Sequence, residues 1–171
     1  LDPSTTGIQA TLVVAAEGTW SVDGSGVVTF TPQPGFTKDP TPIPYTVKEL
    51  TGLVSNPATI TIDYVPVALA DSSSGNPTGT PVTLNVLVND IGGDTVLPAT
   101  VQIVGKANPG EPLVVAGEGT WSIEPGSGAI TFTPQAGYTG DPTPSEYTVK
   151  DNDGNTAGPV LVTVDYTQIG P

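Results

Sequence analysis

The chain is 171 residues long, with 17 acidic side chains against four basic ones, all lysine, for a formal net charge of −13. It contains no Cys, Met, His or Arg, which removes the imidazole of a catalytic triad, the thiolate of a cysteine nucleophile and the soft ligands of zinc, copper and iron-sulfur sites. So few cations cannot neutralise a run of phosphates, so nucleic acid and anionic membrane surfaces are excluded as partners, while calcium, glycans and other proteins stay open.

The 21 glycines and 19 prolines make the chain dense in turns, yet 36% of it is hydrophobic, enough to bury a core. Thr, Val and Ile dominate over Leu, Glu and Lys, which favours pleated, half-buried strands and predicts an all-β protein. No apolar run approaches the roughly 18 residues of a membrane span, so membrane insertion is not expected. The N-terminus lacks the basic-then-apolar pattern of a signal peptide, as expected of a mature chain or a fragment. The absence of Cys fits a reducing compartment and equally a surface protein that is exported without oxidative folding.

In chain order, the first landmark is Leu12-Val13-Val14-Ala15-Ala16-Glu17-Gly18-Thr19-Trp20-Ser21, followed by Thr29-Phe30-Thr31-Pro32-Gln33 and Tyr45-Thr46-Val47-Lys48, and Asp63-Tyr64 closes a first unit of residues 1–65. The junction Ile62-Asp63-Tyr64-Val65-Pro66-Val67 has no Gly/Ser spacer, and Pro66 fixes a backbone dihedral there, so a short, stiff connection is expected. Residues 66–171 form the second unit, with strands predicted at 67–70, 81–88, 100–104, 113–116, 120–123, 129–133, 146–150 and 160–166. Within it the first landmarks return. Leu113 to Ser122 repeats Leu12 to Ser21 at an offset of 101, and the Thr131 to Gln135 and Tyr147 to Lys150 blocks repeat theirs at 102. The extra residue lies where Asp23-Gly24-Ser25-Gly26 becomes Glu124-Pro125-Gly126-Ser127-Gly128, a turn, where length changes cost least.

A unit of about 100 residues matches one β-sandwich domain. Trp121 and Ile123, then Ile130 and Phe132, alternate with Ser122 and Thr131, which predicts a hairpin with its aromatic face inward. Tyr147 with Val149, and Val160, Val162, Val164 with Tyr166, keep the same period. The first copy has no counterpart of residues 66–96, because Leu1 falls near the position matching Leu97. The chain is therefore expected to come from a longer tandem array, the first sandwich being N-terminally truncated or its gap filled by another chain.

Gly18-Thr19-Trp20-Ser21-Val22, Val28 to Thr37, Asp39-Pro40-Thr41-Pro42 and Tyr45-Thr46-Val47 resemble the CshA-type fibril repeat of large bacterial surface adhesins. Thr120 to Ile123, Ile130 to Pro134, Gly137 to Pro144 and Tyr147 to Gly154 resemble it again in the second copy. The resemblance covers about 55 residues of the first copy and most of the second. It implies tandem Ig-like or cadherin-like β-sandwich modules in a secreted, cell-surface fibril, with neighbouring repeats as partners and a host or cell-surface protein or glycan bound by a separate domain. It supplies no catalytic residues.

Asp151-Asn152-Asp153-Gly154-Asn155 is the best metal candidate, since alternate oxygens of Asp151, Asp153 and Asn155 before a turn can wrap calcium. The distal Glu of an EF-hand loop is missing, and Asp-Gly between strands is itself a hairpin signal. A second cluster, Asn89-Asp90 with Asp94, resembles the Asn-Asp turn of cadherin-like bacterial repeats and is a second calcium candidate against an ordinary polar turn. Calcium is thus the one cofactor left open. Trp20 and Trp121 fit core packing better than sugar stacking, and Lys48 and Lys150 should point outward. The functional expectation is a non-catalytic stalk. The alternatives are a calcium- or glycan-binding adhesion module and, more remotely, a carboxylate-pair hydrolase.

Overall fold

The computed structural model describes residues 1, 7–91, 93 and 95–167, and it divides into two compact units, Leu1–Tyr64 and Val65–Pro171. Both are built from strands, and no helix among the described residues is long and apolar enough to cross a membrane.

The second unit holds β6 (Asp71–Pro77), β7 (Val82–Leu84), a 3₁₀ turn at Pro98–Thr100, β8 (Gln102–Ile103), β9 (Leu113–Val115), β10 (Gly119–Ile123), β11 (Ile130–Pro134), β12 (Ser145–Lys150) and β13 (Thr156–Thr167). They form two four-stranded sheets, ordered β7-β11-β10-β9 and β6-β13-β12-β8. The expected alternation is what closes them into a sandwich. Trp121, Ile130, Phe132, Tyr147, Val149, Val162 and Val164 are fully buried, and Val82, Leu84, Ile103 and Tyr166 join them in one cluster drawn from both sheets. Each such side chain taken out of water contributes roughly 1.5–3 kcal/mol, so this cluster dominates the stability of the unit. Trp121 packs on Phe132 with ring centroids 4.9 Å apart, and Phe132 meets Tyr166 at 6.4 Å.

The β10-β11 hairpin requires glycine at its start. A Cβ on Gly119 would lie 2.3 Å from the Thr133 carbonyl oxygen and 2.7 Å from the Phe132 ring, which folds across the empty site. Gly18 meets Thr31 and Phe30 in the same way. These glycines serve close approach rather than a turn.

The strands predicted at 81–88 and 100–104 are shorter, Val82–Leu84 and Gln102–Ile103, and a larger departure lies at the start of the unit. A strand was predicted at 67–70, but there Val67 makes only a bridge with Ile91, and the strand runs through the polar Asp71–Pro77 instead. No alternation marks it, because it is held by main-chain pairing parallel to β13, Asp71 opposite Val162 through Pro77 opposite Thr167. Side chains reinforce that ladder. Asn76 Nδ2 donates to the Asp165 carbonyl at 3.0 Å, Thr78 Oγ1 to the Thr167 carbonyl at 2.7 Å, and Thr167 Oγ1 to the Asn76 carbonyl at 2.9 Å.

The first unit contains β1 (Thr11–Val14), β2 (Gly18–Val22) and β3 (Val28–Pro32) in one antiparallel sheet, with β4 (Ile43–Tyr45) and β5 (Ala58–Ile60) in another. In register these match β9-β10-β11 and β12-β13. Trp20 packs on Phe30 at 4.9 Å as Trp121 does on Phe132, but among the described residues of this unit only Trp20, Ile43 and Pro40 bury an apolar side chain of any size.

Candidate functional site

The acidic residues concentrate at the strand ends, and most of those described below accept hydrogen bonds from the chain's own backbone. Glu118 follows β9, and its carboxylate takes the Thr143 N–H at 2.6 Å and the Thr143 hydroxyl at 2.8 Å. Glu17 holds Thr41 the same way, at 2.8 and 2.6 Å. Asp141 Oδ1 accepts the Tyr166 N–H at 2.6 Å, and Asp39 Oδ1 accepts the Tyr64 N–H at 2.5 Å. Each acid thus pins the Asp-Pro-Thr-Pro loop, in one case to the hairpin that starts the sheet and in the other to the end of the unit. Such charge-assisted bonds are about twice as strong as neutral ones.

The two hairpin turns show the same device at two lengths. Asp23 Oδ1 accepts Ser25 N–H at 2.8 Å, Ser25 Oγ at 2.7 Å and Val27 N–H at 3.0 Å. In the copy with one more turn residue the acid is one methylene longer, and Glu124 accepts Gly126 N–H at 3.0 Å and Ser127 N–H at 2.5 Å. Hydrogen bonds from Ser25 and from Ser127 lower the two carboxyl pKa values.

The 151–155 segment is the connection between β12 and β13. Asp151 is buried; its Oδ1 accepts the N–H groups of Asp153 (3.0 Å) and Asn155 (2.8 Å), and its Oδ2 accepts Asn155 Nδ2 at 3.1 Å. Asp151 and Asn155 are therefore brought together, while the Asp153 side chain is exposed. Both Asp151 oxygens are engaged in closing the turn.

Asp90 lies at a different cluster, one that the sequence reading did not assemble. Tyr147, inward-facing on β12 and wholly buried, sends its hydroxyl to the Val86 carbonyl at 2.9 Å, Asp71 Oδ2 at 3.0 Å, the Leu69 carbonyl at 3.4 Å and the Asp90 carboxylate at 3.4 and 3.5 Å. Asp90 Oδ1 also accepts the Leu69 N–H at 2.9 Å, and Asn89 Nδ2 donates to the Ala70 carbonyl at 3.3 Å. The Asn89-Asp90 pair thus zips residues 67–71 to residues 86–91. One phenol proton cannot serve that many acceptors. Burial raises the pKa of Asp71, and the Asp90 charge raises it further; burial also raises that of Asp90. Burial, then the two carboxylates, push the Tyr147 phenol well above its ordinary range. Both carboxyls therefore hold a proton more readily than they would in water, chiefly because burial disfavours their charged forms. Asp94 lies outside the described residues.

Trp121 donates its indole N–H to the Thr143 carbonyl at 3.3 Å, and Trp20 is equally buried, so neither ring offers a face to a sugar. Lys48 and Lys150 are exposed. The pinning roles of Glu17, Glu118, Asp39 and Asp141 were missed in the sequence, although a signal was there: all four acids recur at the repeat offset, as do Asp63 with Asp165 and, with a change of acid, Asp23 with Glu124.

The chain matches the family model of the surface adhesin CshA repetitive domain twice, over residues 2–66 and 63–166. No curated protein and no solved structure matches it.

Proposed function

Because the chain belongs to the surface adhesin CshA repetitive-domain family, we propose that its units are load-bearing, non-catalytic repeats of a bacterial cell-surface fibril that carry a separate binding domain away from the cell. Neighbouring repeats of the same protein are then the main partners. The reading rests on one relationship above all, the parallel pairing of β6 and β13 in the second unit. These are the first and last strands of that unit. Tension entering through residues near β6 and leaving after β13 pulls two parallel neighbours in opposite directions along their common axis. Their ladder bonds are then sheared together instead of being opened one at a time.

The rest of the site chemistry supports the same reading. Carboxylates that accept backbone N–H groups at 2.5–2.8 Å order the loops and strand ends, and a surplus of negative charge keeps crowded fibrils apart. The second unit carries a net −9 and the first −4. Single-molecule stretching between the chain ends tests the proposal. The second unit should unfold in one discrete force peak that releases about 3.6 Å per freed residue. Gradual extension with no such peak would overturn it.

A further inference from the structure

We infer that the Asp-Pro-Thr-Pro loop is a strap that carries load from the end of each unit across to the opposite sheet. The inference rests on the load-bearing reading above and names the residues that share the load. Register places the strap. β12 and β13 pair with Ser145 opposite Val162, and carried four residues further the same count sets Asp141 opposite Tyr166. The main-chain ladder cannot run on to that point, because Pro142 and Pro144 have no N–H to give. The Asp141 carboxylate takes over and accepts the Tyr166 N–H at 2.6 Å. In the first unit Ile43 stands opposite Ile60, and the same four-residue count sets Asp39 opposite Tyr64. Asp39 accepts the Tyr64 N–H at 2.5 Å.

The strap grips β13 where its other ladder is interrupted. Pairing with β6 is irregular between Val164 and Tyr166, and there the Asp165 carbonyl accepts from the Asn76 side chain. Asp141 holds the same stretch from the opposite edge. Tyr166 is the second-last residue of β13, so tension leaving along that strand meets the Asp141 bond among the first.

Behind Asp141 the loop is anchored to the other sheet at three points. Tyr138, whose ring meets Phe132 at 6.3 Å, donates its hydroxyl to the Asp141 carbonyl at 2.5 Å. Thr143 gives its N–H and its hydroxyl to Glu118, at the turn before β10. The Thr143 carbonyl accepts the indole N–H of Trp121, which is buried in β10. A pull on Tyr166 is thus passed through Asp141 and Thr143 into β10 and β11. The two prolines suit the task, since their fixed φ leaves the loop little slack. The first unit keeps the Glu17 anchor on Thr41, but Phe36 stands where Tyr138 does and has no hydroxyl to give.

The test holds the full chain between its ends at constant force and reads the lifetime of the second unit. Asp141→Ala should shorten that lifetime about tenfold. Tyr138→Phe, which gives the second strap the residue of the first, should shorten it about threefold; where Asp141→Ala fails to fold, this variant alone decides. Glu124→Ala removes carboxylate bonds to Gly126 and Ser127 at the far end of the β10-β11 hairpin, off the path of the load. It should lower the urea midpoint yet leave the lifetime within about twofold of the parent. A parent with no discrete unfolding step would overturn the load-bearing reading and the strap with it. A parent that unfolds in one step, with its lifetime unchanged in Asp141→Ala and Tyr138→Phe, would overturn the strap alone. So would a loss of lifetime in Glu124→Ala as large as in Asp141→Ala, because lifetime would then follow stability and not the path of the load.

Discussion

Glu118 grips Thr143 at both of its donors, the main-chain N–H at 2.6 Å and the hydroxyl at 2.8 Å, and Glu17 grips Thr41 in the same two-pronged way in the other copy. Two copies that differ in length, burial and turn chemistry keep this contact. It ties the β9-β10 turn to a loop 25 residues further along the chain.

Removing that grip should be costly. Glu118→Ala is expected to destabilise the second unit by about 1–3 kcal/mol, the range for a charge-assisted bond to backbone. Thr143→Val should cost about 1 kcal/mol, since the main-chain bond survives. In urea denaturation the double variant should show a coupling of at least ~0.5 kcal/mol. Additive losses would mean that the two side chains act independently.

Gly119→Ala tests the close approach in the β10-β11 hairpin. The new methyl would meet the Thr133 carbonyl oxygen and the Phe132 ring with no room to move, so a loss of about 3 kcal/mol is expected. Gly24→Ala, at an open position with an ordinary dihedral, should fall within about 0.5 kcal/mol of the parent. Similar midpoints for the two variants would remove the steric account.

The Asp71-Asp90-Tyr147 cluster gives a pH dependence of definite sign. Both acids are raised above their ordinary value of 3.8, so the folded unit binds more protons than the unfolded chain in the window above that value. Their contribution to stability is full below it and is lost as pH rises through the raised folded value. Glu111 and Glu124 are lowered, the first by its bond with Asn108 and the second by Ser127, and act in the opposite direction. Asp90→Asn isolates the cluster, because those two acids are unchanged in both proteins. Relative to the parent, the variant should gain melting temperature between mildly acidic and neutral pH. A difference that stays constant with pH would contradict the raised pKa values of these acids.

Asp151 closes its turn with both carboxylate oxygens. Asp151→Ala should therefore lower stability by about 2–4 kcal/mol, three internal bonds to a buried side chain being lost. The loss should be equal in calcium and in chelator. If calcium raised the melting temperature of the parent but not of the variant, the segment would be a cation site.

The repeat, the β-sandwich and the inward aromatic face were legible in the sequence because Trp121, Ile123, Ile130 and Phe132 write their burial as alternation. β6 was not legible, since Asp71–Pro77 earns its place through main-chain pairing with β13, which leaves no pattern in side chains. The Tyr147 cluster was hidden for a related reason. Its members come from segments up to 78 residues apart, and nothing local in Asn89-Asp90 says that a phenol will arrive from β12. The carboxylate pins could have been found, because Glu17 and Glu118 stand inside the repeated block itself.

The central claim, that the second unit bears load through β6 and β13, is tested most directly by pulling it in two directions. The chain has no native cysteine, so paired cysteine handles can be placed freely. Handles flanking β6 and β13 at the two ends of the unit should require a distinctly higher unfolding force than handles at the ends of β7 and β9, which peel apart the other sheet. Equal forces in the two geometries, or a lower force along β6 and β13, would contradict the account.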